Sequence, residues 1–169
     1  NNKLTSVKIP NSVTNFSFAF DEGFGITGTL DGGGGTNDTL SYADYTTGLS
    51  ITITANNAGN DGTYSFINIE NLTGGTGADS FAFDDGFGLT GALDGGGPAG
   101  INTLDLSLYS TTIDITIVSA GSLKGMAGTI ATILPNGFDN IDSLKAGSAI
   151  NDSLDMTALA ALSITLTGS

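Results

Sequence analysis

One block of the chain occurs twice. Phe18-Ala19-Phe20-Asp21-Glu22-Gly23-Phe24-Gly25-Ile26-Thr27-Gly28-Thr29-Leu30-Asp31-Gly32-Gly33 returns as Phe81-Ala82-Phe83-Asp84-Asp85-Gly86-Phe87-Gly88-Leu89-Thr90-Gly91-Ala92-Leu93-Asp94-Gly95-Gly96. The offset is 63 (81 − 18), and it grows to 64 at Thr39-Leu40 against Thr103-Leu104, so one residue is inserted in the glycine loop. The match runs on through Leu49-Ser50-Ile51-Thr52-Ile53 against Ile113-Asp114-Ile115-Thr116-Ile117. A weaker third echo sets Ile69-Glu70-Asn71-Leu72 against Ile141-Asp142-Ser143-Leu144, and Asp79-Ser80-Phe81 against Asp152-Ser153-Leu154. A fixed long period constrains the fold more than any local propensity, because units that recur must pack against one another.

Within each copy the patterning is that of strands. Phe16, Phe18 and Phe20 alternate with small or polar residues, as do Leu40 and Tyr42, Leu49, Ile51 and Ile53, and Phe81 and Phe83. The same holds for Leu104, Leu106 and Leu108, for Ile113, Ile115 and Ile117, and for Leu162, Ile164 and Leu166. A period of two places one set of side chains on one face, and Gly, Asn and Asp bound the runs as turn formers. Only Asp155 to Leu162, with Met156, Leu159 and Ala160, carries a pattern able to support a helical turn or two. Short strands with one apolar face can bury it by stacking coil upon coil. The expected fold is therefore all-β: a β-solenoid, β-helix or β-roll-like, of about two 63–64-residue repeats plus a degenerate third. In such a coil equivalent residues would stack as ladders. A β-sandwich of hairpins is the competing arrangement.

The expected organisation is one repeat domain over 1–169. Residues 1–15 form an N-terminal strand or linker, 16–78 the first repeat, 79–140 the second, and 141–169 a partial repeat or cap.

Composition narrows the function. There are 17 Asp and Glu against 4 lysines, and no Arg, His, Cys or Trp, for a net charge of −13. Four lysines cannot neutralise a phosphate backbone, so nucleic acid is excluded as a partner. Without His or Cys there is no Ser-His-Asp or Cys-His nucleophile and no ordinary zinc site. Charged residues make up 12% and apolar ones 39%, the opposite of a disordered composition. No apolar run is long enough to span a membrane. The start, Asn1-Asn2-Lys3, has neither an initiator Met nor a signal sequence and reads as a processed or excised segment. Adjacent acids on a glycine turn are poorly placed for glycoside hydrolysis, which needs carboxylates about 5 to 10 Å apart across a cleft. The chain is therefore read as non-enzymatic.

The acids concentrate in turns. Gly74-Gly75-Thr76-Gly77-Ala78-Asp79-Ser80-Phe81-Ala82 fits the nonapeptide G-G-x-G-x-D-x-U-x, in which glycines turn carbonyl oxygens inward and Asp adds a charged oxygen for a hard cation such as calcium. The glycine loops that begin at Asp31 and Asp94 are longer versions of the same turn. Asp21-Glu22 and Asp84-Asp85 each present two carboxylates before a Gly-Phe-Gly turn, where a cation would relieve their repulsion. The candidate calcium residues are thus Gly74, Gly75, Gly77, Asp79, Asp21, Glu22, Asp84, Asp85, Asp31 and Asp94. The other reading of these turns is mechanical, with Asp accepting from backbone N–H groups.

On Glu70-Asn71-Leu72-Thr73-Gly74-Gly75-Thr76-Gly77-Ala78-Asp79-Ser80-Phe81-Ala82-Phe83 and Leu93-Asp94-Gly95-Gly96, the chain resembles the β-strand repeats of large bacterial exported proteins. These are relatives of the repeats-in-toxin (RTX), haemolysin-type calcium-binding family, and the resemblance covers most of residues 9 to 118. It implies an extracellular, cell-surface, calcium-responsive β-solenoid serving as a stalk, adhesin or biofilm-matrix element. On the matched motif, Gly74, Gly75, Gly77 and Asp79 would be turn and ligand positions. The expected function is a secreted structural module of a surface fibre, stalk or matrix filament. Its partners would be copies of itself in a homopolymer or neighbouring repeats of the same chain. An adhesin-type module binding a surface glycan, with Phe24 and Phe87 or Thr27 and Thr90 as a repeated array, is the alternative.

Overall fold

The computed structural model describes residues 4–158. The chain is all-β: among these residues there is no helix, and sixteen short strands form two sheets of eight. The first sheet takes β1 (Val7–Lys8), β3 (Thr29–Asp31), β5 (Ser50–Ala55), β6 (Ala58–Asn60), β7 (Ser65–Ile67), β9 (Ser80–Phe83), β11 (Thr103–Asp105) and β15 (Ser143–Lys145). The second takes β2 (Ser17–Ala19), β4 (Thr39–Ser41), β8 (Asn71–Thr73), β10 (Leu93–Asp94), β12 (Asp114–Ala120), β13 (Met126–Ile130), β14 (Leu134–Ile141) and β16 (Ser153–Asp155). Asp155 closes a strand instead of opening a helical turn. The rest of that turn, from Leu159 on, and the run at Leu162, Ile164 and Leu166 lie outside the described residues.

The period-two pattern decides what each strand buries. Leu30, Leu40, Ile51, Ile53, Phe66, Phe81, Phe83 and Leu104 are fully buried, while Thr, Ser and Asp neighbours face outward. Burying one such side chain is worth about 2 kcal/mol, so a three-residue strand is held by its central residue and by its neighbours in the sheet. One hydrophobic cluster draws side chains from both sheets.

The chain crosses between sheets after nearly every strand. It runs β1 to β4 alternately, lays β5, β6 and β7 side by side in the first sheet, crosses for β8 to β11, and lays β12, β13 and β14 side by side in the second. Pairing is parallel everywhere except around β6 and β13, the middle strands of the two meanders. Shifting every strand number by seven maps the pairings of the first unit onto those of the second. Thus β1–β3 becomes β8–β10, β2–β4 becomes β9–β11, β3–β7 becomes β10–β14, and β5–β9 becomes β12–β16. Backbone angles repeat as well: φ is +80° at Gly23 and +82° at Gly86, +93° at Gly33 and +92° at Gly96. These are left-handed angles that glycine adopts without strain, and a methyl group on Gly96 would also collide with the Gly75 carbonyl.

The expected ladders of equivalent residues do not form. Phe18 stacks on Leu40 in the second sheet, whereas its counterpart Phe81 lies between Ile51 and Leu104 in the first. The cause is parity. Seven strands with the meander counted as one visit to a sheet give five changes of sheet, an odd number, so each repeat delivers its copy to the opposite sheet.

Candidate functional site

The acidic turns are bound into the fold by their own carboxylates. Asp79 is 1% exposed; its Oδ2 accepts from Gly75 N (2.7 Å) and its Oδ1 from Leu49 N (2.8 Å). Burial pushes its carboxyl above the ordinary value, opposed by those two amides. Of the motif residues, Gly74 lies against the Asp79 carboxylate, Gly75 donates to it and packs on Tyr45, and Gly77 packs on the Thr47–Gly48 backbone. The mechanical reading of this turn is therefore the one its hydrogen bonds display.

Asp31 and Asp94 open matching loops. Asp31 Oδ1 accepts from Gly33 N (3.0 Å) and Asn68 Nδ2 (2.7 Å), and Asp94 Oδ1 from Gly96 N (2.8 Å) and Asn140 Nδ2 (2.8 Å). Asn68 and Asn140, at φ +55° and +56°, are the same residue type in the same left-handed conformation. Asp31 also pairs with Lys8 at 3.1 Å. Burial raises the Asp31 carboxyl, and the Asn68, Lys8 and Gly33 donors together bring it below its ordinary value.

The paired acids divide their work. Glu22 receives Thr46 N, Thr46 Oγ1 and Thr47 N, which hold its carboxyl down to about 2. Asp85 receives Ser110 N and Ser110 Oγ, and these lower its carboxyl likewise. Tyr45 and Tyr109 donate their hydroxyls to the Phe24 and Phe87 carbonyls of the same turns. Asp21 and Asp84 lend their carbonyls to close those turns, accepting from Phe24 N and Phe87 N. The ten candidate residues thus fall in five turns, two of which are stacked, with Gly74 N donating to the Asp94 carbonyl (2.8 Å) and Gly97 N to the Gly75 carbonyl (2.7 Å). Among the described residues no three Asp or Glu side chains are grouped as a metal would require.

The residues missed by sequence reasoning are interior. Asp38 is fully buried, its Oδ1 accepting from Phe16 N at 2.5 Å and its amide donating to Glu70 Oε2 at 2.8 Å. Asp38 Oδ2 is buried without a hydrogen-bond partner. At the matching positions Asn102 Oδ1 accepts from Asp79 N (3.1 Å), and Asn102 N donates to Asp142 Oδ2 (2.8 Å). There Lys124 joins, 3.0 Å from Asp142 Oδ2, with its ammonium also on the Gly100 carbonyl. Asp61, in the turn between β6 and β7, accepts from Tyr42 Oη, Thr63 N and Tyr64 N. Burial pushes the Tyr42 and Tyr64 hydroxyls well above the ordinary tyrosine value.

Two grooves meet at Phe24, which is 71% exposed. The larger, about 540 Å³, opens between β1 and β2 and is lined by Leu4, Val7, Phe18, Phe20 and Ile26. The smaller, about 340 Å³, is lined by Glu22, Tyr45, Asp61 and Tyr64. No family model, curated protein or solved structure matches the chain.

Proposed function

We propose that the two sheets are opposite walls of a β-solenoid and that the chain is a structural, non-catalytic module of an extracellular bacterial fibre, stalk or matrix filament. The observation that carries this reading is the regular crossing from sheet to sheet. It stacks one inward residue per strand in ladders such as Phe18-Leu40-Leu72-Leu93-Phe138. Such a stack has no geometric limit to its length, and its end strands β1 and β2 each pair on one side only among the described residues. Exposed strand edges of this kind are templates for a further strand, so copies of the module, or neighbouring repeats of a longer chain, can continue it.

Calcium belongs to the proposal as a control on assembly. A net charge of −13 opposes close approach of copies, and a divalent cation between turn carboxylates would relieve it. Electron microscopy of the purified chain with and without calcium, beside a thermal melt, tests both parts. Ordered filaments are expected, shortening on chelation. Filaments and melting unchanged after exhaustive chelation would remove calcium and leave the stacking. Monodisperse particles in every condition would remove self-stacking and turn attention to the glycan reading, for which the groove of Tyr45, Tyr64, Glu22 and Asp61 beside Phe24 is the surface.

A further inference from the structure

The groove between β1 and β2 has a buried twin. Seven strands on, its residues Leu4, Val7, Phe18, Phe20 and Ile26 correspond to Ile69, Leu72, Phe81, Phe83 and Leu89, each no more than 1% exposed. Leu4 is 64% exposed, and Val7, Phe18 and Phe20 are half-buried. What covers the twin is known from the pairing: β8 lies against β4, and β9 against β5, on the side where β1 and β2 have no neighbour among the described residues. Strands β4 and β5 correspond in turn to β11 and β12, which carry β15 and β16. Fourteen strands separate β15 and β16 from β1 and β2, so the first two strands and the last two described strands are the same part of the repeat.

We propose that a second copy of this chain covers the groove by strand exchange, with β1 and β2 of one copy taking the place of β15 and β16 against β11 and β12 of the next. The proposal rests on the stacking reading and specifies its joint. Charge selects this register over simple addition of one end to the other. Lys8 follows the inward Val7 and pairs with Asp31 on β3; Lys145 follows the inward Leu144 and pairs with Asp105 on β11 at 2.8 Å. Exchange seats Lys8 where Lys145 now sits, between Asp105 of one copy and Asp31 of its own, as Thr73 sits between Ser41 and Asp94 inside the chain. Addition would instead set Lys8 directly beside Lys145, and like charges in cross-strand register repel. The apolar side agrees: Phe18 would lie between Ile115 and Leu40, as Phe81 lies between Ile51 and Leu104. Some bonds do not transfer. Phe16 stands where Asp152 accepts from Ile113 N, and Thr5 stands where Asp142 accepts from Asn102 N and pairs with Lys124, so the joint is looser than the interior and can open again. Along the strands exchange replaces like contacts with like, while β15 and β16 of the receiving copy give up their places on β11 and β12.

The chain has no cysteine, so introduced thiols report the joint without background. Chains carrying Lys8→Cys are mixed at assembling concentration with isotope-labelled chains carrying either Asp105→Cys or Lys145→Cys, oxidised gently, and scored for mixed disulfides by mass spectrometry. Neighbouring strands lie about 4.8 Å apart and next neighbours about twice that, and a disulfide does not span more than about 7 Å between Cα atoms. The Lys8→Cys and Asp105→Cys mixture is therefore expected to cross-link about tenfold more than the other. A preference for the Lys145→Cys partner would overturn exchange while leaving stacking intact, as would filaments showing neither link. A chain that stays monomeric by sedimentation would overturn both.

Discussion

The two seven-strand units share one scaffold and differ inside it. In the first, Asp38 and Glu70 meet in the interior with Asn57 as a neutral donor to Glu70; in the second, Asn102 and Asp142 hold the same hydrogen bonds and Lys124 supplies a charge. Every side-chain atom of Asn102 is used, its Nδ2 donating to the Gly95 and Asn140 carbonyls, whereas Asp38 Oδ2 is without a partner. Backbone geometry is thus indifferent to whether the position is acid or amide. The difference falls on stability and its pH dependence, not on shape.

The largest expected effect comes from removing the compensating charge. Lys124→Met leaves the Asp142 carboxylate half-buried without its cation, the neutral Asn102 amide still donating to it, and a loss of about 3 kcal/mol is expected in urea denaturation, the cost of breaking a largely buried pair. A loss below about 1 kcal/mol would mean that the pair is effectively solvated. Next, Asp38→Asn converts the first unit to the chemistry of the second and is expected to stabilise the chain by about 1 kcal/mol, since a buried acceptor without a donor costs about that much. Destabilisation by this change would show that Asp38 Oδ2 serves something the amide cannot.

The smallest effect is one of pH. Burial first, and the neighbouring Asp38 charge after it, raise the Glu70 carboxyl above its ordinary 4.5. The folded chain then holds this proton more tightly than the unfolded one. Its contribution is complete below pH 4.5 and is lost as pH rises through the folded value. Glu70→Gln is expected to gain in melting temperature relative to the parent as pH rises from 4 to 7. A difference between the two that is flat across this window would remove Glu70 as a titrating element.

Much of this architecture was legible in the residues. The alternating runs at Phe81, Ile51 and Ile115 became strands, and the repeated glycines became turns with repeated φ. Three things were not legible. Strands β6 and β13 carry Gly59 and Gly128 at central positions, and glycine has no side chain with which to mark a face. A period of two says that a strand has an inner face but not which sheet it joins, so the exchange of sheets at each repeat left no local trace. The interior acids were hidden for another reason. Asp38 and Glu70 are 32 residues apart and belong to no motif together. Their signal lay in setting the two copies side by side, where Asp faces Asn, Glu faces Asp, and the compensating lysine sits in the β12–β13 connection, which is longer than the matching β5–β6 turn of the first copy.

The odd count of sheet crossings gives the repeat an alternating rhythm. The first unit lays its three-stranded meander in one sheet and the second lays it in the other. With the two sheets as opposite walls of a stack, as proposed, whatever a meander presents outward would recur on a given side only at every second unit. Lengthening such an array by one unit would turn its decoration to the opposite side, and lengthening it by two would restore it. A partner reading one flank of the array would count pairs of repeats, and the gain or loss of a single repeat would shift everything beyond it to the other face.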